Sequence, residues 1–183
     1  MQSAIDIALS PKHKRRKLSD IGYIVVHRTV DKPVAEVVEE FKDTAKYSAG
    51  YYTGGVFPYH FFIPYYGELV QCLPLTTIGP AALAKLNKTG IHVALGGDLR
   101  KKPPHIGQVI RLNHIASTLT NAWNGGLHLV GHTDDQANSK DPNKTCPGKY
   151  LSVAHVRGYI DQHLTNVCEL SQEAALLRAG ITI

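Results

Sequence analysis

Tyr23-Ile24-Val25-Val26-His27, continued by Arg28-Thr29, is the stretch from which the fold can be read. Its unbroken apolar, β-rich run describes a buried strand, and the run stops on a histidine. Downstream, Asp31 and Pro33 start a helix, and Val34, Val37, Val38, Phe41 and Ala45 recur at steps of three and four, which gives it one apolar face. Residues 47–55 form a loop rich in tyrosine and glycine. Residues 59–63 and 68–73 flank Pro64-Tyr65-Tyr66-Gly67 and read as the two strands of a hairpin. A further strand at residues 91–95 is closed by Gly96-Gly97-Asp98. After Pro103-Pro104, the spacing of Ile106, Val109, Ile110, Asn113 and Ala116 predicts a longer helix to about Trp123. Residues 127–130 read as a strand, residues 152–164 as a helix capped by Ser152, and residues 169–178 have a helical composition. Strands interleaved with helices predict an α/β fold: a single domain with a central mixed β-sheet flanked by helices.

A chain of 183 residues suits one such domain with one buried core. The expected division is a basic N-terminal arm (1–20), the folded domain (21–166) and a C-terminal helical tail (167–183). Much of the net charge of +5 sits in Lys12, Lys14, Arg15, Arg16 and Lys17, read as a solvated arm because like charges in a block repel one another. The basic balance suits a polyanionic partner without choosing among nucleic acid, anionic lipid and cell wall. No run approaches the roughly 18 apolar residues that span a bilayer. The first charged cluster follows the apolar residues, the reverse of a secretory signal, so synthesis in the cytoplasm without a signal peptide is expected. Cys72, Cys146 and Cys168 are odd in number and show no repeating spacing, which argues against a disulfide scaffold. Cys72, in an apolar run, reads as core.

Three residues carry chemistry: His27 at the end of the first strand, His132 just after Val130-Gly131, and Cys146 in Lys144-Thr145-Cys146-Pro147-Gly148. Strand ends deliver side chains to a shared cleft. Two imidazoles and a thiolate are borderline-soft donors suited to zinc, and three protein ligands leave a fourth position open for water, the mark of a catalytic site. Ten histidines offer many triples, so spacing alone does not select this one.

Six segments, in order, add to that reading: Ile24-Val25-Val26-His27-Arg28-Thr29, Tyr59-His60-Phe61-Phe62-Ile63, Gly67-Glu68-Leu69-Val70-Gln71, Gly90-Ile91-His92-Val93-Ala94-Leu95-Gly96-Gly97, Gly131-His132-Thr133-Asp134 and Lys144-Thr145-Cys146-Pro147-Gly148. Together they resemble the type 2 N-acetylmuramoyl-L-alanine amidases, the superfamily of phage amidase lysozymes and animal peptidoglycan recognition proteins. The resemblance implies that His27, His132 and Cys146 bind one Zn2+ per chain in a cleft at the strand ends, and that Tyr59 and Lys144 line the reacting centre. It implies zinc-dependent hydrolysis of the amide between N-acetylmuramic acid and L-alanine. The role it suggests is that of a monomeric phage or prophage endolysin reaching peptidoglycan or muropeptides after membrane breach, with no nucleic-acid partner.

The residue chemistry agrees with those roles. Lys144 has a permanent ammonium on a flexible stem, suited to holding an oxyanion. Tyr59 has a hydroxyl able to relay a proton to the leaving amine. Asp134 and Asp135 are candidates, by proximity, to accept the other N–H of His132. Three alternatives stay open: a non-catalytic peptidoglycan-binding protein, whose known examples usually lack the cysteine; a cytoplasmic muropeptide-recycling amidase, which often has aspartate in place of Cys146; and a polyanion-binding protein that uses the basic run. Two positions depart from the family pattern. Ala81 or Ala82 stands where many relatives have histidine, and His92 stands where glycine is usual. Both are expected to bear on stem-peptide preference.

Overall fold

Strand β1 (Tyr23–Arg28) pairs in parallel on both sides, with β4 (Gly90–Leu95) and with β5 (His128–Gly131). Such a strand is covered on both faces, which is why its sequence is a continuous apolar run without alternation. On the far side of β4 lies β2 (Phe61–Ile63), also parallel, and β3 (Val70–Gln71) closes that edge antiparallel to β2. The order β3-β2-β4-β1-β5 makes a mixed five-stranded sheet. Helices α1 (Ala84–Thr89), α2 (Ile106–Ala122), α3 (Val153–His163) and α4 (Gln172–Arg178), with a short 3-10 helix over Leu18–Asp20, complete the described elements. The computed structural model describes residues 14–29, 36, 58–82, 84–133, 145–163 and 171–183. Of the helix expected after Pro33, only Glu36 falls among them, and it is helical; the loop of 47–55 lies outside the described residues.

Register separates the two faces of the sheet. Ile24, Val26, Phe61, Ile63, Ile91, Val93, Leu95 and Leu129 share one face and pack on Leu112, Ile115 and Leu119 of α2, Val156 of α3 and Leu176 of α4. Full burial of each large apolar side chain contributes about 1.5–3 kcal/mol. The opposite face carries Val25 and His27 from β1, His92 and Ala94 from β4, and Phe62 from β2. Helix α2 is aligned to the strand ends by Gln108, whose amide donates to Ile63 O (3.1 Å) and Gly96 O (2.8 Å).

The hairpin strands are shorter than residues 59–63 and 68–73 suggest. The carbonyl of His60 accepts from both Cys72 N (2.8 Å) and Leu73 N (3.3 Å), two residues against one. That bulge-like pairing ends the regular ladder and leaves Tyr59 and His60 before β2. Helix α1 was not anticipated, since six residues are too few to display a period.

The described residues toward either end, 14–20 and 171–183, are tied into the fold, which changes the reading of arm and tail. Arg15 bridges to Thr77, and Arg16 is only 8% exposed. Its guanidinium donates to the carbonyls of Leu75 (2.9 Å), Lys88 (3.0 Å) and Gly90 (2.8 Å). The solvated-arm expectation therefore fails for Arg16, because those converging carbonyls replace its water. At the other end, Ser171 caps α4, and Leu176 and Ile181 enter the core. Gln71 of the edge strand exchanges two 2.8 Å hydrogen bonds with the Thr182 backbone, so this segment covers the sheet edge.

Candidate metal centre

His27 is the last residue but one of β1, opposite Ala94 in the register, and is 1% exposed. His132 N donates to Val26 O (3.0 Å), which extends the β5–β1 ladder one step and fixes His132 beside His27. Their ring centroids lie 4.7 Å apart. Cys146 arrives on a separate loop, pinned to the residue after His132: Cys146 O accepts from Thr133 N (3.2 Å) and Thr133 Oγ1 (2.7 Å). Gly148 lets that loop sit down, with φ +125° and its α-carbon so close to Leu99 that a Cβ would lie 2.5 Å from Leu99 O. The structure thus brings His27, His132 and Cys146 together, with one donor atom from each lying within 4.8 Å of the others.

Burial sets the protonation of this cluster. His27 is held well below the usual histidine pKa, first by desolvation and then by the neighbouring His132 and His60. It stays a neutral imidazole, the form that a metal requires.

A row of buried groups extends behind His27 along the same sheet face. His27 Nε2 lies 3.0 Å from His92 Nδ1. The His92 backbone amide donates to His60 Nδ1 (3.0 Å), and the two rings stack with centroids 5.6 Å apart. Because His60 Nδ1 accepts, the proton of the neutral ring is on Nε2, which donates to Thr77 O (2.9 Å). Arg16 Nη2 lies 2.9 Å from that same nitrogen. Desolvation first, and then Arg16, push His60 down to about 3. Sequence reasoning missed Arg16 and His60 as parts of the site surroundings, and it connected His92 with stem-peptide preference; the structure puts His92 inside the sheet, 0% exposed. The signal available was a histidine within an otherwise apolar strand.

Tyr59 is buried, its ring centroid 5.2 Å from that of His27, within a small apolar cluster with Phe62, Val70, Cys72 and Ala94. Ala81 packs against the same cluster. Cys72 is core, as expected, and desolvation pushes its thiol up to about 12, so it is inert. Lys144, Asp134, Asp135 and Cys168 lie outside the described residues. Asp98, just past β4, is held well below the usual carboxylate range, chiefly by its hydrogen bonds from Arg100, and also meets Arg28 at 3.4 Å.

Fold and site together define an α/β protein with a borderline-soft donor set gathered at the strand ends. The family model for N-acetylmuramoyl-L-alanine amidase matches residues 17–149, and the chain belongs to that family. Solved structures share the fold. The N-acetylmuramoyl-L-alanine amidase LysC from Clostridium intestinale URNW is 20% identical with a TM-score of 0.63, covering 78% of this chain and 86% of its own. The Ph2119 endolysin from Thermus scotoductus MAT2119 bacteriophage Ph2119 is 23% identical with a TM-score of 0.60, covering 80% and 88%. Drosophila peptidoglycan recognition protein SA is 16% identical with a TM-score of 0.59, covering 79% and 82%. No curated protein matches the chain. Among the described residues, no helix is long and apolar enough to cross a membrane.

Proposed function

We propose that this protein hydrolyses the amide between N-acetylmuramic acid and L-alanine in peptidoglycan, using one zinc ion held by His27, His132 and Cys146. The observation that carries the reading is the convergence of those three donors from three separate segments. The donor set fits the ion: two imidazoles and a thiol are zinc's preferred partners, and a tetrahedral site spaces such atoms roughly 3.3–3.6 Å apart. Zinc, when bound with three protein ligands, supplies Lewis acidity and activation of a water molecule near neutral pH.

The remaining steps fall to the chain's own residues. Tyr59, beside His27, is assigned the proton transfer toward the leaving amine of L-alanine. Lys144, two positions before Cys146, is assigned the negative charge that develops on the former carbonyl oxygen. An endolysin role is favoured by the similarity to the Ph2119 endolysin and by cysteine as the third donor.

The test is mass spectrometry of purified peptidoglycan after digestion. Free stem peptides beginning with L-alanine are expected, and prior zinc removal should abolish their release until zinc is restored. Binding to sacculi without release would leave a recognition protein and overturn the hydrolase reading.

A further inference from the structure

We propose that His92 is a positioning residue for His27, accepting the proton-bearing Nε2 of that ring so that Nδ1 is the nitrogen offered to the metal. The inference rests on the zinc reading above and adds a residue to it. His27 Nε2 and His92 Nδ1 are 3.0 Å apart, and both rings are out of water, at 1% and 0% exposure. A neutral imidazole that coordinates through one nitrogen carries its proton on the other, and ligating histidines give that N–H to an acceptor. His92 Nδ1 is that acceptor here, which places the His92 proton on its own Nε2.

His92 is itself held in place. Its position opposite Val25 sets its side chain on the face that carries His27. Its amide is bonded to His60 Nδ1, and His60 is fixed in turn by Thr77 O. Gly79 closes the space: a Cβ there would come within 2.9 Å of His60 Cε1 and 3.2 Å of His92 Cδ2. His92 Nε2 has no hydrogen-bond partner among the described residues. A buried polar nitrogen without a partner is destabilising, so stability alone would favour an apolar side chain at this strand position. The useful atom is Nδ1.

The experiment measures zinc affinity of the full chain by competition with a chromophoric chelator. It compares wild type, His92→Phe, which fills the space without an acceptor, and His92→Asn, whose amide oxygen can take the place of Nδ1. His92→Phe should bind zinc about 10- to 100-fold more weakly, and His92→Asn should recover most of that loss. A wild type that binds no zinc overturns the metal reading. Tight zinc binding by both wild type and a folded His92→Phe overturns the role of His92 alone, as does an Asn variant no better than Phe. Should His92→Phe fail to fold, long-range proton–nitrogen correlation spectra of the zinc-loaded wild type decide. His27 is expected as the Nε2–H tautomer, and an Nδ1–H tautomer would refute the assignment.

Discussion

Lowering the pH should unfold the metal-free protein early, and His60 sets the scale. In the folded state its ring is neutral down to about pH 3, against an ordinary value of 6.5. Its folded pKa is depressed, so below about pH 6.5 the unfolded chain takes up a proton that the folded ring refuses. Stability is therefore complete above pH 6.5 and is lost as pH falls toward 3. Each pH unit within that window costs about 1.4 kcal/mol per ring. His60 alone then costs about 2 kcal/mol at pH 5, and His27 and His92, shifted in the same direction by burial, add to it. Against a total stability of about 5–15 kcal/mol, a loss of that size gives a clear fall in the unfolding midpoint by pH 5. Asp98 does not contribute between pH 8 and pH 5, because a carboxylate with a depressed folded pKa loses its stabilisation only as pH falls below its ordinary 3.8. The assay is urea unfolding in chelator, followed by the fluorescence of the single tryptophan, Trp123, from pH 8 to pH 5. A flat midpoint above pH 7 and a steep fall below 6.5 are expected. An unchanged midpoint between pH 7.5 and 5 would refute the reasoning.

Arg16→Leu removes the donors of three carbonyl hydrogen bonds and should destabilise the fold by about 3 kcal/mol or more, read from the urea midpoint. Deleting residues 1–18 should do at least as much damage; a loss below about 1 kcal/mol in either case would return the segment to a solvated arm. Cys146→Ser should fold, since the bonds from Thr133 reach the Cys146 backbone, yet lose zinc and turnover together; wild-type turnover would remove Cys146 from the ligand set. Tyr59→Phe and Lys144→Ala should each retain one zinc per chain while turnover falls on the order of a hundredfold. Unchanged turnover in the first would reduce Tyr59 to packing, and metal loss in the second would recast Lys144 as structural.

What the sequence made legible follows from how local each signal is. The strand at Tyr23–Arg28 and the helix at Ile106–Ala122 were readable because an unbroken apolar run and a 3.6-residue period are each written into consecutive residues. The three donor residues were readable only through the order of six short segments, since distance along the chain says little about which histidines meet. Arg16 was misread for the opposite reason. A basic run looks solvated in isolation, and its neutral surroundings come from carbonyls at positions 75, 88 and 90, more than fifty residues away. His92 lies between these cases. Within Gly90–Leu95 it is the one polar side chain in a strand buried along its whole length. A polar group so placed must find a partner, and period-two geometry limits the search to one face of the neighbouring strands. On β1 that face holds Tyr23, Val25 and His27, so register narrows the partners on that strand to Tyr23 and His27, and the structure pairs His92 with His27. Register and hydrogen-bonding capacity therefore shorten the list of partners, once β1 and β4 are known to be neighbours. That adjacency was the missing step, because parallel neighbours are joined through long crossovers and leave no local mark in the chain.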